Sequence, residues 1–213
     1  MKYLVAGSTG LIGKNLINIL SKDSPVTALT RRNFNFPDNV TKKIVDFENG
    51  YDLPRADHLF ICLGFPVELF DLAIMRKSVK KLFYKVDYEY VCNLAEKAKS
   101  SGIENLSVVS SVGASKNSFN YYLKTKGLME EQLKDLNFHT LNIFQPSHLL
   151  GKREKPIGHD VKLFEDITNA TGNLLFGPFA KFKNVQANEI ANLMFEKSKN
   201  CNKGINYFNR MDV

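Results

Sequence analysis

The stretch Gly7-Ser8-Thr9-Gly10-Leu11-Ile12-Gly13 decides the fold of this chain. It follows the apolar run Tyr3-Leu4-Val5-Ala6 and opens a segment from Leu11 to Leu20 whose apolar residues recur at helical spacing. A strand, a tight glycine turn and a helix N-terminus form a pyrophosphate site, because backbone N–H groups and the helix dipole point at the anion. The stretch therefore predicts a nucleotide site, with an ordinary glycine-rich turn as the alternative.

The three glycines have separate roles in such a turn. Gly7 allows the sharp bend, Gly10 lets phosphate groups approach the backbone, and Gly13 lets helix and strand pack closely. We predict that the phosphates of a cofactor lie against the whole turn, which consists of Gly7, Ser8, Thr9, Gly10, Leu11, Ile12 and Gly13.

Strand-like and helix-like segments alternate along almost the whole chain. The predicted strands are Lys2–Ala6, Val26–Thr30, Lys43–Asp46, His58–Leu63, Asn105–Ser110, Thr140–Phe144 and Ile205–Phe208. The predicted helices are Leu11–Leu20, a region around Leu69–Val79, Tyr84–Ser100, Tyr121–Leu136 and Ala187–Lys199. This alternation indicates an α/β fold, a doubly wound parallel sheet of the Rossmann type with a small C-terminal cap.

The chain of 213 residues has the length of one domain. We predict that residues 1–150 form a dinucleotide-binding Rossmann domain. Residues 151–213 are rich in proline, glycine and phenylalanine at their start, and we predict that they form a small substrate cap completing the same domain.

Cysteine usage and the N-terminal sequence bear on the compartment. Cys62, Cys92 and Cys201 are widely spaced and contain no C-x-x-C pair, so we predict reduced thiols, no disulfide framework and no metal site. The chain leads straight into a strand without a basic leader, and no apolar run has the length of a membrane span. We therefore expect a soluble, cytoplasmic protein.

The chain is basic, with a formal net charge of +7. Its lysines are scattered, and no zinc-finger, helix-turn-helix or aromatic–basic RNA-binding pattern accompanies them. We therefore predict no specific nucleic-acid binding. The charge instead favours a basic surface that tolerates ligands bearing phosphate groups.

The end of the second predicted strand discriminates between two dinucleotides. An acidic residue at this place accepts hydrogen bonds from the adenosine ribose in NAD sites, whereas this chain has Thr30-Arg31-Arg32. Guanidinium groups suit a 2′-phosphate because they present planar, charged donors to its oxygens. Arg31 and Arg32 therefore favour NADP(H) over NAD(H), with a pair of surface arginines as the alternative.

Two further strand ends are candidate contacts of the cofactor. Asp46-Phe47 follows the third strand, where Asp46 would accept from the adenine amino group or be a solvated loop acid. Leu63-Gly64 closes the fourth strand, where Gly64 would let the backbone pass close to the cofactor or form an ordinary turn. Both pairs of interpretations remain open.

Three side chains form a candidate catalytic set. Ser111 follows the fifth strand, and Tyr122 and Lys126 lie four residues apart on one face of the next helix. Reduction of a carbonyl group builds an alkoxide that needs a proton, and a phenol supplies one more readily beside an ammonium group. A serine hydroxyl at the strand end would bind the substrate oxygen. We therefore predict Ser111, Tyr122 and Lys126 as catalytic residues.

The order of these motifs resembles the short-chain dehydrogenase/reductase superfamily, and within it the atypical branch of the Tat-interacting protein 2 oxidoreductases. The matching stretches extend from residue 1 to about residue 155. They are the glycine turn, Thr30-Arg31-Arg32, Val45-Asp46-Phe47-Glu48, Cys62-Leu63-Gly64, Val86-Asp87-Tyr88-Glu89-Tyr90-Val91, Ser110-Ser111-Val112-Gly113-Ala114 and Tyr122-Leu123-Lys124-Thr125-Lys126-Gly127.

The resemblance implies a set of site residues. By it, Ser8 to Ile12, Arg31, Arg32, Leu63, Gly64, Tyr122, Lys126 and Leu149 would contact NADPH. Tyr122 would be the proton donor, with Lys126 and Ser111 assisting.

The chain departs from the superfamily at two places. Asp87 stands where many members have an active-site asparagine, although the branch itself often has Asp, and this puts a water-mediated relay through Lys126 in doubt. Gln145-Pro146-Ser147 stands where the family has Arg-Pro-Gly. The next residue, His148, would either reach the substrate or have a structural or solvent-facing role.

The sequence supports two main functional hypotheses. The first is an NADPH-dependent oxidoreductase that reduces a small carbonyl compound, and the second is an NADPH-binding regulatory or sensor protein with little or no catalysis. A nucleotide-sugar epimerase is a weaker third, because such enzymes need a larger substrate domain. The expected partners are a small-molecule substrate and, in addition, a second copy of the chain or a regulated protein.

Overall fold

The computed structural model describes residues 1–67, 71, 75–150, 184–200 and 202–213. These residues contain seven strands that join in one sheet: β1 (Tyr3–Ala6), β2 (Val26–Thr30), β3 (Val40–Ile44), β4 (His58–Ile61), β5 (Asn105–Val109), β6 (Thr140–Gln145) and β9 (Gly204–Asn209). Every neighbouring pair is parallel, and the order across the sheet is β3-β2-β1-β4-β5-β6-β9. A separate parallel pair consists of β7 (Leu149–Leu150) and β8 (Val185–Gln186).

Helices cover both faces of the sheet. The described α-helices are α1 (Leu11–Leu20), α2 (Lys77–Tyr84), α3 (Tyr90–Ser100), α4 (Tyr121–Asp135) and α5 (Ala187–Asn200). One core cluster lies between the sheet and α3 with α4, and the other lies between the sheet and α1 with α5. None of the helices in this part of the chain is long and apolar enough to cross a membrane. The predicted doubly wound α/β fold is confirmed.

The strand order places the candidate site. The chain builds the sheet from β1 toward β3 and then returns to the other side of β1 with β4. In open parallel sheets, ligands bind at the carboxyl ends of the strands where the order reverses. Here that crevice lies between the ends of β1 and β4, and the glycine turn follows β1.

Two predicted elements differ from the observed ones. The third strand is predicted at Lys43–Asp46, but β3 begins at Val40, because buried Val40 pairs with Val26 on β2. Asp46 instead lies in the turn after the strand. The second predicted helix, around Leu69–Val79, lies largely outside the described residues. The third is predicted to begin at Tyr84, but the helical segment that contains it begins at Lys77, because α2, a π-helical turn (Lys85–Glu89) and α3 follow one another without a break.

The predicted cap lies largely outside the described residues, which resume at residue 184. The part that is described belongs to the main sheet and its helical layers. Strand β9 pairs with β6 along its whole length, and α5 packs against α1. The small substrate cap over residues 151–213, completing the same domain, stays a prediction.

A row of polar side chains crosses the sheet on the face that α1 and α5 cover. His58 Nε2 lies 2.8 Å from Ser107 Oγ, which also accepts from the Asn142 amide at 3.4 Å. The Asn206 amide in turn donates to Asn142 Oδ1 at 3.1 Å. His58 and Ser107 are fully buried, and this polar row lies beside the ring of Phe60, on which His58 stacks.

The buried His58 predicts an acid-sensitive stability. Burial lowers the pKa of His58 from 6.5 to about 3, so between these values the unfolded chain binds a proton that the folded chain does not. As the pH is lowered below 6.5, the free energy of unfolding should therefore decrease. This group should contribute about 1.4 kcal/mol of that decrease for each pH unit. Chemical denaturation between pH 7 and pH 4 should show a shallower fall for His58→Leu than for the wild type. His139→Leu, at an exposed histidine, is the control, and equal slopes for all three proteins would contradict the prediction.

Candidate functional site

The glycine turn after β1 touches the end of β4 backbone to backbone. Gly7 has a φ of +75°, and a Cβ there would lie 2.3 Å from the Cys62 carbonyl oxygen. A Cβ on Gly13 would lie 2.2 Å from the Gly7 carbonyl oxygen. The turn closes through a 2.9 Å hydrogen bond from the Gly10 N–H to Gly7, and α1 has no acidic side chain in its first turn. The turn therefore fits a dinucleotide pyrophosphate, because its glycines carry no side chain and the first turn of α1 has no carboxylate to repel the anion.

Some side chains of the turn are engaged within the protein, so only their backbone N–H groups could contact a cofactor. The Ser8 hydroxyl is buried and donates to the Leu29 carbonyl at 3.0 Å, so it fastens the turn to β2. The Ile12 side chain is buried in the core cluster beneath α1. At Ser8 and Ile12, a phosphate could therefore be bound only by the backbone N–H groups. Thr9 and Gly10 are exposed at the turn.

The two arginines after β2 are exposed, as a phosphate site requires. Arg31 and Arg32 follow Thr30, whose hydroxyl donates to the Arg32 carbonyl at 2.9 Å and shapes the bend. Within the described part of the chain, neither guanidinium group has an ion-pair or hydrogen-bond partner. Their donors are therefore available to an anion beside the glycine turn.

Asp46 and Phe47 are both engaged within the protein. Asp46 accepts from the Glu48 N–H at 2.9 Å and from the Asn49 amide at 2.7 Å, and these hydrogen bonds lower its pKa. Phe47 is buried and stacks on Tyr90 at 5.5 Å. This geometry favours the interpretation of Asp46 as an acid of the loop. Because the Phe47 ring is buried, a cofactor would meet only the backbone of that residue.

The remaining predicted cofactor contacts are Leu63 and Gly64, which follow β4, and Leu149. Leu63 is half-buried, and Gly64 is exposed, with space for a Cβ 3.8 Å from Asp87 Oδ1. Close packing within the protein therefore does not require glycine at residue 64. Leu149 begins β7 and packs against the core cluster beneath α1.

The candidate catalytic side chains lie at the end of β5 and at the start of α4. Helix α4 begins at Tyr121, capped by Asn120 Oδ1, which accepts from the Leu123 N–H at 3.1 Å. The Tyr122 ring stacks on buried Phe83 of α2 at 5.1 Å, and its hydroxyl has no hydrogen-bond partner among the described residues. Phe83 thus holds the Tyr122 ring through this stacking contact.

The loop from β5 to α4 crosses the helix at Gly127. A Cβ on Gly127 would lie 2.2 Å from the Ser115 carbonyl carbon and 2.3 Å from the Lys116 nitrogen. The Ser115 N–H also donates to the Leu123 carbonyl at 3.1 Å. Glycine directly after Lys126 therefore lets the loop that carries Ser111 lie against α4.

Lys126 forms a buried ion pair. Its Nζ lies 2.7 Å from Asp87 Oδ1, and the two side chains are 4% and 3% exposed. Burial by itself would lower the pKa of Lys126, but the nearby Asp87, Tyr122 and Glu130 outweigh it, so its pKa lies above the ordinary value. Burial raises the pKa of Asp87, and Lys126 and the Phe65 N–H oppose this shift only in part.

A second buried carboxylate lies one helical turn beyond Lys126. Glu130 accepts from the Ser110 hydroxyl and, at 2.9 Å, from the Gln145 amide, and burial raises its pKa. Ser111 is half-buried, and its hydroxyl makes one long contact of 3.4 Å with the Val112 carbonyl. Of the two adjacent serines, Ser110 supports Glu130 and Ser111 remains the candidate for binding substrate.

Sequence reasoning missed Glu130 and Phe83 and left the roles of Asp87, Gln145 and His148 open. Glu130 continues the four-residue spacing of Tyr122 and Lys126, which would have indicated the same helix face. Phe83 carried no comparable signal, because the packing of α2 on α4 is a tertiary contact. Gln145, from the departing Gln-Pro-Ser sequence, donates to Glu130, and the His148 carbonyl accepts from Val185 at 3.1 Å.

The fold and the glycine turn define an NAD(P)-binding protein of the Rossmann type. The chain belongs to the NAD dependent epimerase/dehydratase family, whose model matches residues 3–153. This match confirms the predicted class, and the relatives described next confirm the predicted branch.

Protein HTATIP2 of Rattus norvegicus is 35% identical over 162 residues, which cover 71% of this chain and 64% of that protein. Protein FMP52, mitochondrial, of Debaryomyces hansenii is 30% identical over 203 residues, covering 85% of this chain and 80% of the relative. The human epimerase family protein SDR39U1, solved with NADPH, has a TM-score of 0.67 at 16% identity. The match covers 98% of this chain and 74% of the SDR39U1 chain. MoeE5, solved with UDP-glucose and NAD, has a TM-score of 0.71 at 14% identity, and the match covers 97% of this chain and 75% of the MoeE5 chain. These two structures show the fold.

The predicted cytoplasmic location is contradicted by the names of the relatives. The FMP52 proteins of Debaryomyces hansenii, Candida albicans and Candida glabrata are all named as mitochondrial. The prediction was wrong because unpaired cysteines argue against an oxidising compartment and do not distinguish among reducing ones.

The close crossing at Gly127 predicts a strong effect of one added methyl group. Gly127→Ala should lower the free energy of unfolding by about 3 kcal/mol, because the contacted atoms are backbone and cannot move aside cheaply. Gly50→Ala is the matched control, since a Cβ there would meet no heavy atom within 4 Å. Denaturant titration of both variants measures the difference, and equal stabilities would refute the close packing of loop and helix.

Proposed function

We propose that this protein is an NADPH-dependent oxidoreductase that reduces a small carbonyl compound. The observation that carries the proposal is the buried Lys126 ammonium, one helical turn from a tyrosine whose ring is packed and whose hydroxyl is unengaged among the described residues. A protein that merely binds a nucleotide has no evident need for a buried cation beside a free phenol.

The chain's own residues supply the positioning and the proton. The glycine turn would bind the pyrophosphate through its N–H groups, and Arg31 and Arg32 would bind the 2′-phosphate. Bound NADPH would supply a hydride for the carbonyl carbon. Ser111 would donate a hydrogen bond to the carbonyl oxygen, and Tyr122 would then give its proton to that oxygen, completing the alcohol. Lys126 would stabilise the resulting phenolate by its charge.

The preference for NADPH rests on the end of β2. Two exposed arginines follow Thr30, and the acidic residue typical of NAD sites is missing from Thr30-Arg31-Arg32. A charged hydrogen bond from either guanidinium to the 2′-phosphate strengthens binding of NADPH relative to NADH.

The arginines give a prediction for cofactor choice. Calorimetric titration should show tighter binding of NADPH than of NADH, and Arg31→Ala with Arg32→Ala should weaken NADPH binding by about 100-fold, roughly tenfold for each charged contact. NADH binding should change little. Arg55→Ala, at an exposed arginine before β4, is the control. An NADPH preference that survives in the double variant would exclude this role for the arginines.

The tyrosine gives a prediction for catalysis. Tyr122→Phe keeps the ring that stacks on Phe83 and removes the transferable proton, so turnover should fall about 1000-fold while NADPH affinity stays within a few-fold. Tyr121→Phe, at the neighbouring residue, should leave turnover unchanged. The assay follows NADPH oxidation with a panel of small aldehydes and ketones. Unchanged turnover in Tyr122→Phe would rule out Tyr122 as the proton donor.

A further inference from the structure

The turn after β3 carries an asparagine followed by a glycine at its exposed tip. Asn49 and Gly50 are both exposed, whereas Phe47 before them and Tyr51 after them pack against the core cluster beneath α3. The centroids of these two rings lie 5.6 Å apart. The turn is thus fixed at both flanks and open to solvent at its tip.

An asparagine followed by a glycine is able to lose its side-chain amide without an enzyme. The glycine nitrogen attacks the side-chain carbonyl carbon, a nitrogen–carbon bond forms, and the bond from that carbon to the amide nitrogen breaks. Ammonia leaves, and the N–H proton of the glycine is transferred with it. Water then opens the succinimide ring to aspartate or isoaspartate, so the reaction needs no oxidant or reductant. Glycine favours ring closure because it has no Cβ to obstruct the nitrogen.

The nitrogen of Gly50 is available for this attack in the folded protein. Within the described part of the chain, the Gly50 N–H donates no hydrogen bond. A Cβ on Gly50 would meet no heavy atom within 4 Å, so the backbone has room to rearrange. The Asn49 amide donates to Asp46 Oδ2 at 2.7 Å, and at this exposed place water replaces such a bond at little cost.

A second exposed asparagine provides the contrast. Asn117 is followed by Ser118, a small residue that permits the same reaction more slowly. Here the Ser118 N–H donates to the Ser115 carbonyl at 3.0 Å, and the Asn117 N–H donates to Ser115 Oγ at 3.3 Å. The fold therefore engages the attacking nitrogen after Asn117 and leaves the one after Asn49 unengaged.

The turn lies beside the arginines after β2. The Val45 N–H, just before the turn, donates to the Thr30 carbonyl at 2.9 Å, and Arg31 follows Thr30. A carboxylate at residue 49 would replace the amide that donates to Asp46, so two acceptors would face each other. The added negative charge would also reduce the positive potential at the end of β2 and oppose an anionic ligand there.

We propose that Asn49 is a site of spontaneous deamidation, and that the carboxylate formed there weakens dinucleotide binding. The modification is a property of the protein alone. Its effect on binding rests on the proposed function, which assigns the 2′-phosphate of NADPH to Arg31 and Arg32.

Mass spectrometry measures the modification without any ligand. Folded and chemically unfolded wild type are incubated in mildly alkaline buffer, and deamidation at each asparagine is followed after digestion. Folding should slow the reaction less than about threefold at Asn49 and more than about tenfold at Asn117, because only the second site must open first. Equal slowing at the two residues would overturn the proposal, as would full retention of Asn49 in the folded protein.

Gly50→Ala is the matched variant for this measurement. The added methyl group has open space, so the protein should fold as the wild type does. The methyl group obstructs the attacking nitrogen, and deamidation at Asn49 should slow about tenfold. The rate at Asn117 should not change. A Gly50→Ala protein that deamidates at Asn49 as fast as the wild type would overturn the proposed attack by the Gly50 nitrogen.

Cofactor affinity provides the second measurement. Asn49→Asp reproduces the aspartate product, and in calorimetric titration at low salt it should bind NADPH about threefold to tenfold more weakly than the wild type. High salt should reduce this difference, because the added charge is exposed and screened. Asn202→Asp, an exposed residue before β9 at the opposite edge of the sheet, adds the same charge and should leave the affinity unchanged.

The two measurements separate the inference from the proposed function. If the wild type does not bind NADPH, the proposed function fails, and mass spectrometry still decides whether Asn49 deamidates. If Asn49→Asp and Asn202→Asp bind NADPH equally well, the effect of the modification on binding is overturned.

Discussion

The contact between the Gly7 turn and the end of β4 is the constraint on which the rest of the structure depends. The two backbones approach so closely that even a methyl group at Gly7 would overlap the Cys62 carbonyl. This approach keeps the ends of β1 and β4 together at the place where the strand order reverses. The N-terminus of α1 and the loop after β4 therefore face each other, and Asp87 extends the arrangement to α4.

Three charged side chains are buried near the carboxyl ends of the strands. Asp87, Lys126 and Glu130 are all nearly inaccessible, although isolated charges are costly to remove from water. Each has polar partners: Asp87 and Lys126 face each other, and Glu130 accepts from Ser110 and Gln145. Because these bonds link β5, β6, α4 and the π-turn, the loss of one member leaves another buried group without its partner.

Sequence reasoning predicted the fold because hydrophobic periodicity and glycine spacing are local properties of the chain. It did not place the start of β3, where pairing of Val40 with Val26 decides the boundary. It identified Asp87 as a departure from the family pattern but could not foresee its two partners, which lie on other elements. In the candidate site, too, some features have a local signal in the sequence and others depend on tertiary contacts. The four-residue spacing of Tyr122 and Lys126 was enough to predict that they share one face of a helix.

Other contacts of the site have no local signal in the sequence. The internal bonds of Ser8 and Asp46 were not foreseeable, because a hydroxyl or carboxylate in a turn can satisfy the protein or a ligand equally well. The stacking of Phe83 on Tyr122 depends on how α2 packs on α4, and no local pattern encodes it.

The polar row across the sheet fixes the alignment of the last strand. Strand β9 forms an edge, and a shift of one residue along β6 would turn every one of its side chains to the opposite face. Ile205 or Tyr207 would then replace Asn206 opposite Asn142, leaving a buried amide oxygen without its donor. The cost of that orphaned group makes the shifted sheet a poor competitor. A strand that joins from far along the chain is thus held to a single register by hydrogen bonds inside an otherwise apolar layer.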